Sequence, residues 1–335
     1  MTADQDSDFP FLGRLEELVE ELYQTVPKAL GEWGEDPIHD ARVATRRLKA
    51  AVDLMRFVLS NHHRKPFGKA LRKLRERLGP LRDFDVMIRQ LEELTSQPQH
   101  ATAASWLRDH LVACREEARD RTRKQATPAA LLAKLSTWTD VRAEVIEARE
   151  AVDSLLAESL HLQLDAFAER AGRIVKHGQG EAANSQRRQD PHQLRIAGKL
   201  LRYTLELAQA QGHKLPASVL RSFKSMQEAL GDWHDDVVLI ECAMQTSLDG
   251  SLAYHDAEMQ QNLLSLAQLF ARRAAHELEK FSTLWEQRGQ EVADVIRVQF
   301  PLTRTVSGSQ TGHDQSGSDA PPAPVALPPD VTSTA

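Results

Sequence analysis

The chain has 335 residues, enough for one large domain or two of ordinary size, with 41% hydrophobic and 27% charged residues, as in water-soluble globular proteins. No run approaches the ~20 consecutive apolar residues of a membrane span, and the acidic opening MTADQDSDFP lacks the basic and apolar regions of a secretory signal. A formal net charge of −6 argues against general nucleic-acid affinity; two cysteines, Cys114 and Cys242, far apart and without CxxC spacing, are expected to be reduced, small core residues of a cytoplasmic protein.

Residues 1–10 are read as a flexible lead-in. From there, apolar residues recur at three- and four-residue spacing and predict helices over Phe11–Leu30, Ile38–Leu59, Phe67–Leu81 and Asp83–Thr95. Pro37, Pro66, Gly79-Pro80, Pro98, Pro128, Pro191, Pro216 and Gly231 punctuate the pattern. Alternating runs of strand type are scarce, so the expected fold class is all-α. Residues 301–335, rich in Ser, Gly, Pro and Ala, have little to bury and are predicted to be a disordered tail.

Charge is segregated along the chain. Residues 37–91 hold 14 Lys and Arg against 5 Asp and Glu, a local charge of +9; the rest holds 28 against 43, or −15. Such a division predicts a basic surface aimed at an anion on an otherwise acidic body. The bland alternative is a solvated basic helix pair.

An internal repeat organises the sequence. PIHDARVATRRLKAAVDLM from Pro37 matches PHQLRIAGKLLRYTLELA from Pro191, pairing His39 with His192, Arg42 with Arg195, Arg46 with Lys199 and Lys49 with Arg202. LRKLRERLGPLRDFDV from Leu71 then matches FKSMQEALGDWHDDVV from Phe223 at almost the same offset. The chain reads as a duplication over residues 11–300, with halves of about 11–150 and 151–300.

On a helix at ~100° per residue, His39, Arg42, Arg46 and Lys49 fall within an arc of roughly 80°, opposite a stripe of Ala44, Leu48, Ala51, Val52, Met55 and Leu59. His192, Arg195, Lys199 and Arg202 repeat the design. Exposed helices ordinarily interleave acids with bases; none of the four repeated positions is acidic in either copy. Such unneutralised ridges predict a seat for a linear polyanion, with arginines forking onto phosphate oxygens and histidines donating hydrogen bonds. Arg47 is counted with the first ridge. Lys69, Arg72 and Lys73 add to it from the next helix, and Arg221 and Lys224 match Lys69 and Arg72 in a more weakly basic second half. Arg64, Lys65, Arg75, Arg77 and Arg82 are candidates to extend the surface.

The helix starts H-x-x-R-V-x-x-R-R-L-K from His39 and H-x-x-R-I-x-x-K-x-L-R from His192, with the LGPLRDFDV and LGDWHDDVV segments after them, resemble the signature helices of CHAD (conserved histidine α-helical) domains over roughly residues 11–298. The resemblance implies two antiparallel four-helix bundles related by a pseudo-twofold axis around a basic central groove or pore. It also implies binding of inorganic polyphosphate and association with polyphosphate granules.

No catalytic residues, metal ligands or cofactors are expected. His39-Asp40 and His234-Asp235-Asp236 look superficially like metal-phosphohydrolase motifs, but His39 shares its face with three cations that would repel a divalent ion. Asp83 and Asp235 read as helix N-caps or as partners of bundle arginines. The competing functions are a phosphohydrolase or accessory subunit acting on polyphosphate or nucleoside triphosphates, an adaptor for polyphosphate-metabolising enzymes, and a nucleic-acid backbone binder. The last is disfavoured because the ridges carry no aromatic at their repeated positions on which bases could stack.

Overall fold

Leu15, Leu18, Leu22 and Val26 form the buried stripe of a first helix, and the same spacing governs almost every element that follows. The computed structural model describes residues 9–125, 127–177, 186–248 and 256–302. Its helices are α1 (Pro10–Gly31), α2 (Glu35–Leu54), α3 (Asn61–Leu94), α4 (Ala101–Gln125), α5 (Pro128–Leu132), α6 (Trp138–Glu147), α7 (Val152–His177), α8 (Gln186–Ala210), α9 (Ala217–Ser247) and α10 (Ala257–Gln299). Short 3₁₀ turns at Ala133–Thr137 and Arg149–Ala151 flank α6. Among the described residues there is no strand, and no helix is long and apolar enough to cross a membrane. Most of the lead-in and the tail from Thr303 onward lie outside the described residues.

Several expected boundaries move, and Pro37, Pro66 and Pro191, expected as breaks, lie inside α2, α3 and α8. Gly79-Pro80 was expected to separate two helices, yet α3 runs unbroken from Asn61 to Leu94. A proline inside a helix costs about 3 kcal/mol in isolation, through one lost hydrogen bond and a ring clash. Leu71, Leu74 and Leu78 before Pro80, and Leu81 and Phe84 after it, are all buried, and each contributes roughly 1.5–3 kcal/mol. Packing therefore outweighs the break, and Asp83 lies inside α3 rather than capping a helix. Gly231 and Asp235 likewise lie inside α9. Conversely, α2 ends at Leu54 rather than Leu59. The chain turns over residues 55–58, where the Leu59 N–H donates to the Met55 carbonyl, and Ser60 caps α3 by accepting from His63 N.

Successive helices pack side by side: α1 on α2, α2 on α3, α3 on α4, then α7 on α8 and α9 on α10. The repeated blocks meet across the molecule as well, because α2 packs on α8 and α3 reaches α9. Gly198 lets α8 approach α7: a Cβ there would sit 2.9 Å from the Phe167 ring, which stacks edge-on with Phe223, Phe281 and Trp285. The α2–α8 contact is further tied by Glu206, which accepts from Arg47 Nε at 2.7 Å and from Arg202 Nε at 2.8 Å. Cys242 is buried as expected; Cys114, expected to be a core residue, is only partly buried, and both thiols are free.

Candidate anion-binding site

Packing α2 on α8 brings the histidine-bearing helices together. His39, Arg42 and Arg46 stand on α2, and His192, Arg195 and Lys199 on α8; α3 supplies Arg75, Arg82 and Asp83, and α9 supplies His234 and Asp235. Arg46 is the hub: its charge bears on Arg42, Arg75, Arg195, Lys199 and His234, which belong to all four helices.

Arg42 was expected on the open face of α2, but it is 8% exposed. The reason lies in α3. Gly79 has no side chain, and a Cβ there would stand 2.8 Å from Arg42 Nη1, so the guanidinium comes close to the helix backbone at this point. Nη1 donates to the Arg75 carbonyl at 3.2 Å, and Nη2 lies 3.5 Å from Asp83. Asp83 thus serves as partner to a bundle arginine. Burial, then the neighbouring Arg46, push Arg42 down to about 10 despite Asp83. The Nε atoms of Arg42 and Arg195 are both buried without a hydrogen-bond partner.

The cluster is hostile to positive charge on its weaker bases. Burial, followed by Arg195 and Arg46, pushes Lys199 down to about 6, with Asp235 opposing. Burial, Arg195 and Lys199 lower His192. His234, whose ring centroid is 5.4 Å from that of His192, is pushed down to about 2 by burial, Arg195, His192, Lys199 and Arg46. His39 is lowered by burial and then by Arg82. Asp235 is raised by burial, although Arg195 and Lys199 pull the other way.

The remaining expected ligands lie elsewhere or are already engaged. Lys49 pairs with Asp53 at 2.5 Å, Arg202 and Arg47 with Glu206, Arg72 with Glu76 at 3.5 Å, and Lys224 with Glu228 at 3.4 Å. The expectation of rails free of neighbouring carboxylates is therefore corrected at these positions. Apart from Arg47, whose partner comes from α8, the neutralising acid sits one turn further along the same helix, at i+4, off the repeated positions. Lys69 and Arg221 are exposed, and Lys73 lies beside Lys134, on the side of α3 that meets the 3₁₀ turn. Arg46, Arg195 and Lys199 form no ion pair among the described residues.

His234 was not singled out as a site residue, and Arg82 only as a candidate to extend the surface, although a further signal was present. The second repeat block aligns them with each other, and both face the cluster.

Among the described residues there is no group of three or more His, Cys, Asp and Glu able to hold a metal. Ser60, His63 and Glu144 form a Ser–His–acid contact at the start of α3. Glu144 accepts from Ser60 Oγ at 2.5 Å and meets His63 Nδ1 at 2.6 Å, while Ser60 Oγ lies 3.3 Å from the same nitrogen. A proton relay needs the two ring nitrogens to face opposite partners; here one nitrogen faces both, and the group is a helix cap.

The architecture and its basic centre define an all-helical protein with a cationic cluster between two sequence-related helices. The chain belongs to the CHAD domain family, whose model matches residues 13–244 and so ends within α9. Among solved structures it is similar to the CHAD domain from the plant Ricinus communis, at 19% identity and TM-score 0.54, covering 89% of this chain and 92% of that one. It is also similar to PptA from Streptomyces chartreusis, at 18% identity and TM-score 0.57, covering 84% and 98%. No curated protein matches the sequence.

Proposed function

We propose that this protein binds inorganic polyphosphate between α2 and α8 and catalyses no reaction. The observation that carries this reading is the convergence of Arg42, Arg46, Arg195 and Lys199 from two helices, with buried Nε donors of Arg42 and Arg195 left without a partner. A buried donor without an acceptor costs about 1–3 kcal/mol, and clustered cations add repulsion. A chain of phosphates offsets both at once, supplying acceptors and charge along its length and releasing counterions. The repeated blocks and their packed helices support two duplicated four-helix halves about a basic groove. Residence at polyphosphate granules in the cytoplasm, alongside polyphosphate-metabolising enzymes, follows from the same ligand.

Nucleic acid shares the phosphates but also brings bases. Tyr203 is felt by Arg195 and has no counterpart on α2, where Ala50 stands, and Trp233 beside His234 is buried. One stacking position suits a ligand of phosphates alone better than a strand of bases. The test is competition: long-chain polyphosphate bound to the protein should resist displacement by duplex DNA or RNA at equal phosphate concentration. Arg46→Glu should weaken binding at least tenfold with the fold retained by circular dichroism. Equal displacement by RNA, or unchanged affinity of that variant, overturns the reading.

A further inference from the structure

The cluster contains one amine in an unusual position. Lys199 is partly buried on α8, one turn from Arg195, and forms no ion pair among the described residues. The charged groups around it are Arg195 on its own helix, Arg42 and Arg46 from α2, and Asp235 from α9. His192 and His234 stand beside it and feel its charge, and Asp83 of α3 acts on the neighbouring Arg195. Beside it, Phe167 of α7 packs on Gly198 and Gln227 of α9 donates to the Gly198 carbonyl, while the Phe11 N–H of α1 donates to Gln211 just beyond the end of α8. Three guanidiniums thus crowd one amine, opposed chiefly by Asp235.

We propose that Lys199 is a neutral amine in the unliganded protein and takes up a proton as the phosphate chain enters, so that anion binding is proton-coupled. This rests on the polyphosphate reading and deepens it. The surrounding guanidiniums stay charged at any physiological pH, so they hold the ammonium form of Lys199 at a disadvantage until an anion is present. This agrees with the lowering of Lys199 to about 6. Phosphate oxygens laid against Arg46 and Arg195 cancel the repulsion, and the proton arrives from solvent. Affinity should therefore be nearly flat below pH 6 from this group, and should fall about tenfold per pH unit above it, until the pH reaches the value Lys199 adopts in the complex.

The experiment is titration calorimetry of the full chain with long-chain polyphosphate, at pH 6, 7 and 8, in two buffers of different ionisation enthalpy. Internal phosphates of a long chain have no proton to give in this range, so any uptake belongs to the protein. The wild-type chain should take up close to one proton at pH 7 and 8, and less at pH 6. Lys199→Arg, which keeps the charge and cannot release it, should bind with that uptake largely removed and with a flatter pH profile. Binding without proton uptake, or uptake unchanged in Lys199→Arg, overturns this inference while leaving the polyphosphate reading intact. Absence of binding by the wild-type chain at pH 6 overturns the polyphosphate reading itself.

Discussion

Two glycines at matching places in the repeat show how little a residue type reveals without its neighbours. Gly79 has Arg42 Nη1 where its Cβ would be, whereas Gly231 has nothing within 4 Å. Replacing a helical glycine by alanine ordinarily stabilises by roughly 0.5–1 kcal/mol. Gly231→Ala should show that gain in urea unfolding and leave polyphosphate affinity unaltered. Gly79→Ala gains the same propensity but displaces the Arg42 guanidinium from the Arg75 carbonyl, a loss of about 1 kcal/mol or more for a buried charged donor. Its stability should stay close to wild type while its affinity drops, because the arginine tip is moved off its seat. Equal behaviour of the two variants would show that Arg42 does not need the bare backbone of α3.

Among the elements, what could be read from the sequence was the periodicity, and what escaped was whatever depends on a neighbour. The stripes of α1 and α2 and the matched blocks on α2/α8 and α3/α9 follow from spacing alone. The continuity of α3 through Pro80 does not, because it depends on leucines buried on both sides against other helices. The same holds for the site. Ridge geometry puts Arg195 and Lys199 on one face of α8 and Arg46 on the ridge of α2, and the three do act on one another, yet the burial of Arg42 required knowing what Gly79 faces, and Arg47 became a tie to α8 through Glu206. Asp236 on α9 is another such neighbour effect. It is 1% exposed, with Arg273 of α10 at 3.3 Å, and burial pushes it up to about 7, aided by Asp232, Asp235 and Glu277 and opposed by Arg273. An acid whose folded value lies above its ordinary 3.8 favours the native state most at low pH. Its contribution is lost as pH rises between about 4 and 7, at roughly 1.4 kcal/mol per pH unit. Asp236→Asn should therefore raise the urea midpoint at pH 8 relative to wild type and shrink the difference between pH 5 and pH 8. A destabilised variant at pH 8 would mean that the charged pair with Arg273 outweighs the burial of Asp236.

For the whole molecule, the +9 segment on an acidic body divides by direction rather than by sequence. Part of it turns inward, where Arg42 and Arg46 bear on Lys199 and Arg46 on Arg195 and Arg75, while Arg82 pairs with Glu35. Another part, with Lys69 and Arg72, lies exposed on α3, with Arg72 beside Glu76. Only cations that touch phosphates release counterions on binding, and each contributes a little under one to the slope of log affinity against log salt. Arg46→Gln should therefore reduce the magnitude of the slope by about one and weaken binding at every salt concentration. Lys69→Gln and Lys224→Gln, on the outer faces of α3 and α9, should change it by much less than one, because their charge contributes only a screened field beyond the ~8–10 Å Debye length. Measuring polyphosphate affinity of the three variants between 50 and 200 mM salt separates a ligand seated between α2 and α8 from one lying along the outside of α3. In the second case Lys69→Gln would lose as much slope as Arg46→Gln, and the inward-facing cluster would have to be explained without an anion.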